Sequence, residues 1–333
     1  MILYIARRLA WLLFVSVGMT LLVFAITHLI PADPAKAAAG LDATAEQIER
    51  VKRDLGLDRP LPEQYGIYIL NLVRGDLGTS IITRRPVRED LYDYFPATLE
   101  LTVWTVLAVT AIGVPLGVMS ATRRGGLLDV ATRLTATLWV AIPVFWFGLL
   151  LQLLFYLYLD WLPVGGRIAE SLRIERITGL ITLDALLQGN LPALSSALQH
   201  LILPVTALAL TRVAIIARMT RASLLEALRA DYVRTARAKG LRERAVVYQH
   251  ALRNAALPVL TTLGTQIGFL LSGAILVEAI FQWPGMGRYA VSSITSVDFP
   301  AVMGVTLVAA ALFVITNLIV DVLYAAIDPR ISY

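Results

Sequence analysis

The chain has 333 residues, of which 57% are hydrophobic and 16% charged, and its formal net charge is +5. Soluble domains are typically about 45–50% apolar and about 25% charged, so the composition indicates a membrane protein and excludes a disordered or collagen-like chain. The absence of cysteine excludes disulfide scaffolds and thiolate metal sites. The histidines His28, His200 and His250 lie far apart, so no zinc site is expected.

Several apolar stretches are about as long as the roughly 20 residues that cross a bilayer core. Six such spans are predicted, at residues 9–30, 98–121, 131–156, 201–219, 259–281 and 301–327. The first is interpreted as an uncleaved anchor, because its apolar run exceeds the about 7–15 residues of a signal-peptide core. A removable signal peptide is the alternative.

Arginines in the connections predict the orientation, because cytoplasmic loops are rich in positive charge. Arg7 and Arg8 precede the first stretch, Arg123 and Arg124 follow the second, and the basic segment 220–257 follows the fourth. These connections are expected on the cytoplasmic side, together with both termini. The excess of basic over acidic residues is therefore attributed to cytoplasmic loops, and no nucleic-acid partner is expected.

This topology divides the chain into an N-terminal segment with the first span, an external loop domain, and a core of five spans, at residues 1–30, 31–97 and 98–333. In the external part, Thr44 and Gln47 form a capping-box pattern that predicts a helix ending near Gly56. Pro62 is suited to the first position of a second helix. We expect a small helical cap.

The cytoplasmic loop 220–257 carries the most informative pattern. Asp231 is expected to cap a short helix and Gly240 to end it. Between them lie Tyr232, Val233, Arg234, Thr235, Ala236, Arg237, Ala238 and Lys239. The apolar members of this run recur at helical spacing and basic residues flank them. A helix of this kind either lies in the lipid headgroups or docks in a groove of a soluble partner.

The run from Tyr232 to Leu241, followed by the stretch from His250 to Pro258, resembles the cytoplasmic loop of binding-protein-dependent ABC importer permeases. It is most similar to the dipeptide, oligopeptide and nickel branch, because Arg234-Thr235-Ala236 replaces the general Glu-Ala-Ala. Further matches to the B-type subunit of that branch lie at Gly75–Ser80, Glu278–Phe281, Pro284–Gly287 and Asp328–Ile331. The resemblance covers nearly the whole chain, but residues 157–200 match nothing firm.

The resemblance implies a type I ABC importer permease fold with six transmembrane helices in the bacterial plasma (inner) membrane. It also implies a second homologous permease subunit, two cytoplasmic ATPases and an extracytoplasmic solute-binding protein as partners. Residues 231–240 would be the coupling helix for the ATPases, with Gly240 as hinge and Arg253-Asn254 bracing the next helix. The sequence contains no G-x-x-x-x-G-K-[ST] phosphate loop. ATP and Mg²⁺ are therefore expected in the partner ATPases, and no catalytic, metal or cofactor site is expected here.

Four polar residues in the predicted spans are candidates for a gate or pathway, because ionisable groups there are often functional. They are Glu278, Arg212, Asn317 and Asp321. For Glu278 a structural role, such as capping a turn or pairing with Arg288, is preferred over a gate or a substrate contact. For Arg212 neither a cavity-facing nor a structural placement is preferred. Bonds between helices are preferred for Asn317 and Asp321.

The predicted function is that of a transmembrane permease subunit in an ATP-driven, binding-protein-dependent importer of di- or oligopeptides. The same role for nickel chelates or glutathione is the nearest alternative. A stand-alone secondary transporter is a different class, and such carriers often show internal repeats, which are not visible here. A membrane scaffold without transport is the third hypothesis.

Overall fold

The computed structural model describes residues 14–25, 35–36, 43–54, 56–272 and 274–327, with the side chains of residues 54, 321 and 323–327 excepted. Within these ranges the regular structure is helical, apart from one antiparallel bridge between Thr79 and Pro86. The prediction of an all-α membrane protein is confirmed at this level.

The helices are, in chain order, α1 (Phe14–Ala25), α2 (Ala45–Asp54), α3 (Leu61–Val73), α4 (Val87–Thr122), α5 (Leu127–Ala141), α6 (Val144–Tyr158), α7 (Ile181–Leu187), α8 (Leu191–Ala227), α9 (Asp231–Ala238), α10 (Glu243–Leu271), α11 (Ile275–Ile280), α12 (Met286–Thr295) and α13 (Phe299–Ile327). Two of them contain π-helical turns, at Leu153–Tyr158 in α6 and Val246–Ala251 in α10.

Four helices are long and apolar enough to cross a membrane, namely α4, α8, α10 and the Phe299–Val320 part of α13. α5 and α6 pass the same test together but meet at an angle of 96°. The described part of the chain therefore has four candidate crossings, or five if the bent pair is one. α1 is shorter and lies within the predicted first span, whose other residues are outside the described ranges.

The predicted third span, residues 131–156, is not one straight helix. α5 ends at Ala141 and α6 begins after Pro143. Proline lacks a backbone N–H and disfavours helical geometry in the residue before it. Ile142 accordingly adopts an extended conformation, with φ −83° and ψ 124°. The apolar pattern continues across this break, so hydropathy alone did not reveal it.

Two crossings extend beyond their predicted ends. α4 begins at Val87, so the boundary predicted at residue 97 lies inside one helix. α8 begins at Leu191, where the Asn190 side chain caps it, and its 37 residues span about 55 Å. This length exceeds the about 30 Å of bilayer hydrocarbon. Apolar composition therefore locates the part of a helix that lies in lipid and not the ends of the helix.

The segment 220–257, predicted as a cytoplasmic loop, is largely helical. α8 continues to Ala227, α9 follows at once, and α10 begins at Glu243. The predicted fifth span, residues 259–281, is likewise divided, because α10 ends at Leu271 and α11 is a separate short helix. The polar residues at the start of α10 lower its hydropathy, which is why the sequence placed its beginning too late.

α8 lies at the centre of the fold and packs most extensively on α4. Gly113 and Gly117 form the α4 side of this contact. A Cβ added at Gly117 would lie 2.5 Å from Cβ of Thr220, and one at Gly113 would lie 3.1 Å from Cγ2 of Ile216. Small residues one helical turn apart allow membrane helices to approach this closely.

A second pair of glycines has the same role between α10 and α13. Gly264 lies against Val320, and Gly268 lies against the ring of Phe313. A Cβ at Gly268 would be 2.8 Å from that ring. The two most extensive membrane-helix contacts are thus built on glycine pairs with the same spacing.

The segment predicted to be external contains the expected capping box. The Thr44 N–H donates to Oε1 of Gln47 at 2.8 Å, and the Gln47 N–H donates to Oγ1 of Thr44 at 3.3 Å. Gly56 has a φ of +66° after α2, as expected of a helix stop. Pro62 is not at the first position of the second helix, because α3 begins at Leu61.

α3 packs on the first helix through an aromatic contact. The Tyr65 hydroxyl is 2.9 Å from Oγ1 of Thr20, and its ring centroid is 5.3 Å from that of Phe24. The Tyr68 ring lies 6.2 Å from the same phenylalanine. These contacts fix α3 beside α1.

Candidate functional site

The short helix α9 is held to the rest of the chain by two apolar side chains. Val233 is 0% exposed and Ala236 is 6% exposed. They belong to one buried cluster with residues from α4, α8 and α10, namely Val118, Ala121, Leu224, Val246, Val247, Ala251 and Ala255. The predicted apolar stripe is therefore used mainly inside this chain, and the helix does not present it to lipid headgroups.

The N-terminus of α9 differs from the prediction. Ala230 occupies the N-cap position and no side chain caps the helix. Asp231 is the first helical residue, and its side chain is 96% exposed, 3.8 Å from Nη1 of Arg234. A carboxylate in the first turn still interacts favourably with the helix dipole. The expected capping role of Asp231 is therefore wrong, although its charge suits the position.

The C-terminus of α9 agrees with the prediction. Gly240 has a φ of +77°, and its N–H donates to the carbonyl of Arg237 at 2.9 Å. The Leu241 N–H donates to the carbonyl of Ala236 at 3.4 Å. These two bonds form a Schellman motif, whose left-handed position favours glycine. No atom lies within 4 Å of a Cβ built on Gly240, so backbone conformation rather than space accounts for this glycine.

The opposite face of α9 is open. The exposed residues are Asp231, Tyr232, Arg234, Thr235, Arg237, Ala238, Lys239 and Gly240. Arg237 is engaged with the start of α10, through hydrogen bonds of 2.6 and 3.1 Å to the carboxylate of Glu243. This hydrogen bond raises the pKa of the Arg237 guanidinium. Arg253 and Asn254 are also exposed.

Glu278 is fully buried and bonded on both carboxylate oxygens. Oε1 accepts a hydrogen bond from the Thr98 hydroxyl at 2.9 Å. Oε2 accepts from the backbone N–H groups of Gly287 at 2.7 Å and Arg288 at 3.1 Å. Because these N–H groups begin α12, Glu278 caps that helix from its neighbour. Its link to Arg288 is through the backbone, since the guanidinium donates to the carbonyl of Gln282.

The other candidate pathway residues lie on different helices. Arg212, on α8, donates to the carbonyl of Leu208 at 2.8 Å, and its Nε is buried without a partner in the described part of the chain. Asn317, on α13, is half-buried. The side chain of Asp321 lies outside the described residues. The partners of Glu278 include none of these three, so the structure does not bring the set together around it.

Among the described residues no three His, Asp or Glu side chains are grouped so that they could hold a metal ion. The buried carboxylates instead accept hydrogen bonds from arginines, hydroxyls and backbone N–H groups.

Comparison with known families identifies the family to which the chain belongs. Residues 113–333 match the family described as binding-protein-dependent transport system inner membrane component. Residues 1–102 match the N-terminal region of the membrane components of such systems. The chain belongs to this permease family. It is therefore a multi-pass inner-membrane permease subunit of an ABC importer, and the predicted family is confirmed.

Full-length relatives agree with the family assignment. The permease is 44% identical over 333 residues to a dipeptide transport system permease protein of Alkalihalophilus pseudofirmus, covering 100% of both chains. It is 47% identical over 330 residues to a probable D,D-dipeptide transport system permease protein of Escherichia coli, covering 98% and 97%. It is 40% identical over 330 residues to a glutathione transport system permease protein of Pectobacterium atrosepticum, covering 99% of each.

Sequence reasoning missed a buried ion pair between α4 and the segment that joins α6 to α7. Arg167 donates to Oε2 of Glu100 from Nε at 3.1 Å and from Nη2 at 2.6 Å. The other oxygen, Oε1, accepts from the N–H and hydroxyl of Thr182, both at 2.7 Å. Glu100 is the one acidic residue in the stretch 98–121. A lone carboxylate in an apolar stretch was the available signal.

Asp184 organises residues 177–184, next to this ion pair. It accepts hydrogen bonds from the Thr178 hydroxyl at 2.6 Å and from the backbone N–H groups of Ile177, Thr178 and Gly179. Burial alone raises the pKa of the Asp184 carboxyl, but the hydrogen bonds together hold that pKa below its usual value. The residues 157–200, which matched nothing firm in the family resemblance, thus have a defined structural role.

A second missed ion pair joins the ends of α4, α5 and α8. Asp129 accepts from Nε and Nη2 of Arg221 at 2.6 and 3.0 Å. It also accepts from the Ser120 hydroxyl at 2.6 Å and the Gly125 N–H at 3.0 Å. This carboxylate is 1% exposed. Its position just ahead of an apolar stretch made it look like an ordinary loop residue.

Asp298 and Asp90 hold the turns before α4 against α12 and α13. Asp298 accepts from the Ser80 hydroxyl at 2.5 Å and from the Ala301 N–H at 3.3 Å. Asp90 accepts from the Tyr289 hydroxyl at 2.9 Å. Burial, and next the hydrogen bond to Asp90, raise the pKa of Tyr289. Asp298 before Phe299-Pro300 has the sequence pattern of a helix N-cap, which was the signal for it.

Proposed function

We propose that this permease forms half of the translocation pathway of an ATP-driven importer of di- or oligopeptides. The partners would be a second homologous permease subunit, two cytoplasmic ATPases that hydrolyse ATP, and an extracytoplasmic solute-binding protein. The observation that carries the proposal is the full-length similarity to permeases named for dipeptides, at 44% and 47% identity. The similarity to a permease named for glutathione, at 40% identity, keeps that tripeptide as the alternative cargo. Nickel chelates remain the other alternative.

The proposed topology has six membrane helices and both termini in the cytoplasm. The first is α1 with the rest of residues 9–30, followed by α4, the α5–α6 pair, α8, α10 and α13. The arginines of the connection 123–126 and of α9 support this orientation, because positive charge concentrates in cytoplasmic loops. Reporter fusions after Gly125 and after Gly287 should give cytoplasmic and external signals, respectively. A cytoplasmic signal after Gly287 would overturn the orientation.

Residues 231–240 would be the coupling helix. The exposed face around Tyr232 and Arg234 suits a groove in a soluble partner, and the buried face packs on α4, α8 and α10. A displacement of the helix by closing ATPases would therefore move three long helices together. This mechanism needs no nucleotide site in the permease itself. A stand-alone secondary transporter would leave the open face of α9 without a role.

The first experiment is purification of the tagged permease from native membranes in mild detergent. Two ATPases and a second permease should purify with it. The double variant Tyr232→Ala/Arg234→Glu should lose the ATPases but keep the second permease, because both side chains are exposed and neither belongs to the buried cluster. The control is Arg88→Glu, an equal charge reversal at an exposed residue on the proposed outer side. Retention of the ATPases by the double variant, or their equal loss from the control, would refute this surface.

Cargo is tested after reconstitution in proteoliposomes with the binding protein. Uptake of a labelled dipeptide should require ATP on the ATPase side. Labelled glutathione and a nickel–histidine chelate are run as competing cargoes. Uptake driven by an ion gradient without ATP would favour the secondary-transporter hypothesis, and preference for glutathione or the chelate would replace the dipeptide assignment.

A further inference from the structure

A cavity of about 340 Å³ lies where the end of α8 meets the connection between α4 and α5. Its lining combines three arginines with one carboxylate and two apolar residues, namely Arg124, Arg221, Arg229, Glu226, Ala222 and Leu225. None of these residues belongs to the exposed face of α9. The cavity therefore needs an explanation separate from ATPase coupling.

The cavity contains positive charge that the fold does not neutralise. Arg221 is paired with Asp129 through two hydrogen bonds, and Arg133 lies 3.9 Å from the same carboxylate. Arg124 and Arg229 are exposed and are not among the arginines that form ion pairs in the described part of the chain. Glu226 offsets part of this charge. The remaining excess favours an anionic ligand.

The depth of the cavity corresponds to the lipid headgroups. The apolar stretch of α4 ends at residue 121 and that of α8 at residue 219. Arg221 follows the second of these ends by two residues, which is about 3 Å along a helix. The headgroup layer is about 5–7 Å thick on each side of the hydrocarbon. Arg124 and Arg221 therefore lie at the level of lipid phosphates, and Arg229 lies further into the cytoplasm.

An apolar helix face begins beside the cavity. α5 starts three residues after Arg124, and its residues Leu127, Leu134 and Leu138 are 91%, 61% and 63% exposed. Their spacing of seven and four residues puts them on one side of the helix. Asp129 and Ala136 are the buried residues of the same helix. A molecule with a phosphate in the cavity would thus have hydrocarbon-compatible surface for its tails.

We infer that this cavity binds the phosphate headgroup of an anionic phospholipid of the cytoplasmic leaflet, with the acyl chains along the exposed face of α5. Basic pockets between membrane helices on the cytoplasmic side are suited to such headgroups. Charge selects an anionic over a zwitterionic lipid, and the apolar face selects a lipid over free phosphate. The inference rests on the proposed orientation, in which residues 123–126 are cytoplasmic.

The test compares lipid retention by the whole transporter, purified from native membranes and delipidated in mild detergent. Native mass spectrometry counts bound phosphatidylglycerol after titration, with phosphatidylcholine as the zwitterionic comparison. The double variant Arg124→Gln/Arg229→Gln leaves the Arg221–Asp129 pair intact. In this variant the loss of Arg124 should weaken phosphatidylglycerol binding about fivefold, and the loss of Arg229, which lies further into the cytoplasm, should add a smaller effect. The matched control, Arg242→Gln/Arg244→Gln, removes two exposed arginines outside the cavity and should bind lipid as the wild type does.

Four results would overturn the inference. In the first, the cavity variant retains as much phosphatidylglycerol as the wild type. In the second, the wild type binds phosphatidylcholine as well as phosphatidylglycerol. In the third, millimolar inorganic phosphate saturates the site and no lipid selectivity is seen. The fourth is loss of the ATPases from the cavity variant with lipid retention unchanged, which would make the cavity a protein interface. If the wild type purifies without ATPases, the proposed function fails, whereas lipid retention by the chain is still measured.

Discussion

Arg167 and Glu100 meet through two hydrogen bonds to one carboxylate oxygen, at 3.1 and 2.6 Å, and their side chains are only 12% and 2% exposed. Arg167 also donates to the carbonyl of Gly179 at 2.7 Å and lies 5.7 Å from the ring centre of Trp283. One arginine thus joins the segment between α6 and α7 to α4 and to the turn after α11. Both charged groups are therefore largely shielded from water that could replace the partner.

Removing one member of this pair should cost more than removing both. We expect Arg167→Met to destabilise the permease by about 3–5 kcal/mol, because Glu100 would remain as an unpaired buried charge. The double variant Arg167→Met/Glu100→Gln should regain a large part of this loss. Thermal unfolding of the purified complex measures both. Arg173→Met, at an exposed arginine of the same segment, is the control, and an equal loss there would refute the role of the pair.

The glycine at the α4–α8 contact should tolerate no side chain. A Cβ at Gly117 would lie 2.7 Å from the carbonyl oxygen of Ala217 as well as against Thr220. Gly117→Ala should therefore destabilise the permease by about 1–3 kcal/mol, which is typical of overpacking. Gly66→Ala, in α3 with no atom within 4 Å of the new Cβ, should be neutral or stabilising by about 0.5–1 kcal/mol. Equal thermal shifts in the two variants would contradict close helix packing.

Substitution of Gly240 by alanine should affect coupling, whereas the same substitution at Gly189, which has a similar backbone conformation, should not. Gly240 and Gly189 have φ values of +77° and +65°, and neither has an atom within 4 Å of an added Cβ. Alanine at either position should cost about 1–2 kcal/mol locally. Gly240→Ala should reduce ATP-dependent uptake in proteoliposomes, because the strain falls on the connection between α9 and α10. If Gly189→Ala reduces uptake equally, the hinge role of Gly240 is wrong.

Two substitutions at Glu278 distinguish a helix-capping role from a gating role. Glu278→Gln keeps an oxygen that can accept from the Gly287 and Arg288 N–H groups, so uptake should remain near the wild-type rate. Glu278→Ala leaves those buried N–H groups unpaired and should destabilise the complex by about 1–3 kcal/mol. Uptake and thermal unfolding are measured on the same preparations. Loss of uptake in the glutamine variant, with assembly and stability unchanged, would favour a gate.

Local patterns in the sequence predicted local structure well. The capping box at Thr44 and Gln47 and the left-handed glycines at positions 56 and 240 are found where expected, because each depends on bonds within a few residues. Hydropathy located the apolar part of each described crossing for a similar reason. It did not locate the helix ends or the break at Pro143, because helices continue into water wherever tertiary contacts support them.

The missed features all depend on residues that are distant in sequence. Glu100 is bonded to Arg167 and Asp129 to Arg221, and no spacing rule relates the members of either pair. Val233 and Ala236 looked like an exposed amphipathic face, since nothing nearby in the sequence reveals the cluster that covers them. The short helix between Asp231 and Gly240 was predictable from its residues, whereas which of its faces is buried required the fold.

The length of α8 has a mechanical consequence. The helix runs about 55 Å from its Asn190 cap to Ala227, and three residues separate its end from α9. Pivoting such a rod by about 5° around one end sweeps the other through about 5 Å, close to one helical turn. Pro204 interrupts its hydrogen-bond ladder about one third of the way from Asn190 and is a natural flexure point. A small angular change at the end of α8 beside α9 is thereby enlarged at the opposite surface of the membrane.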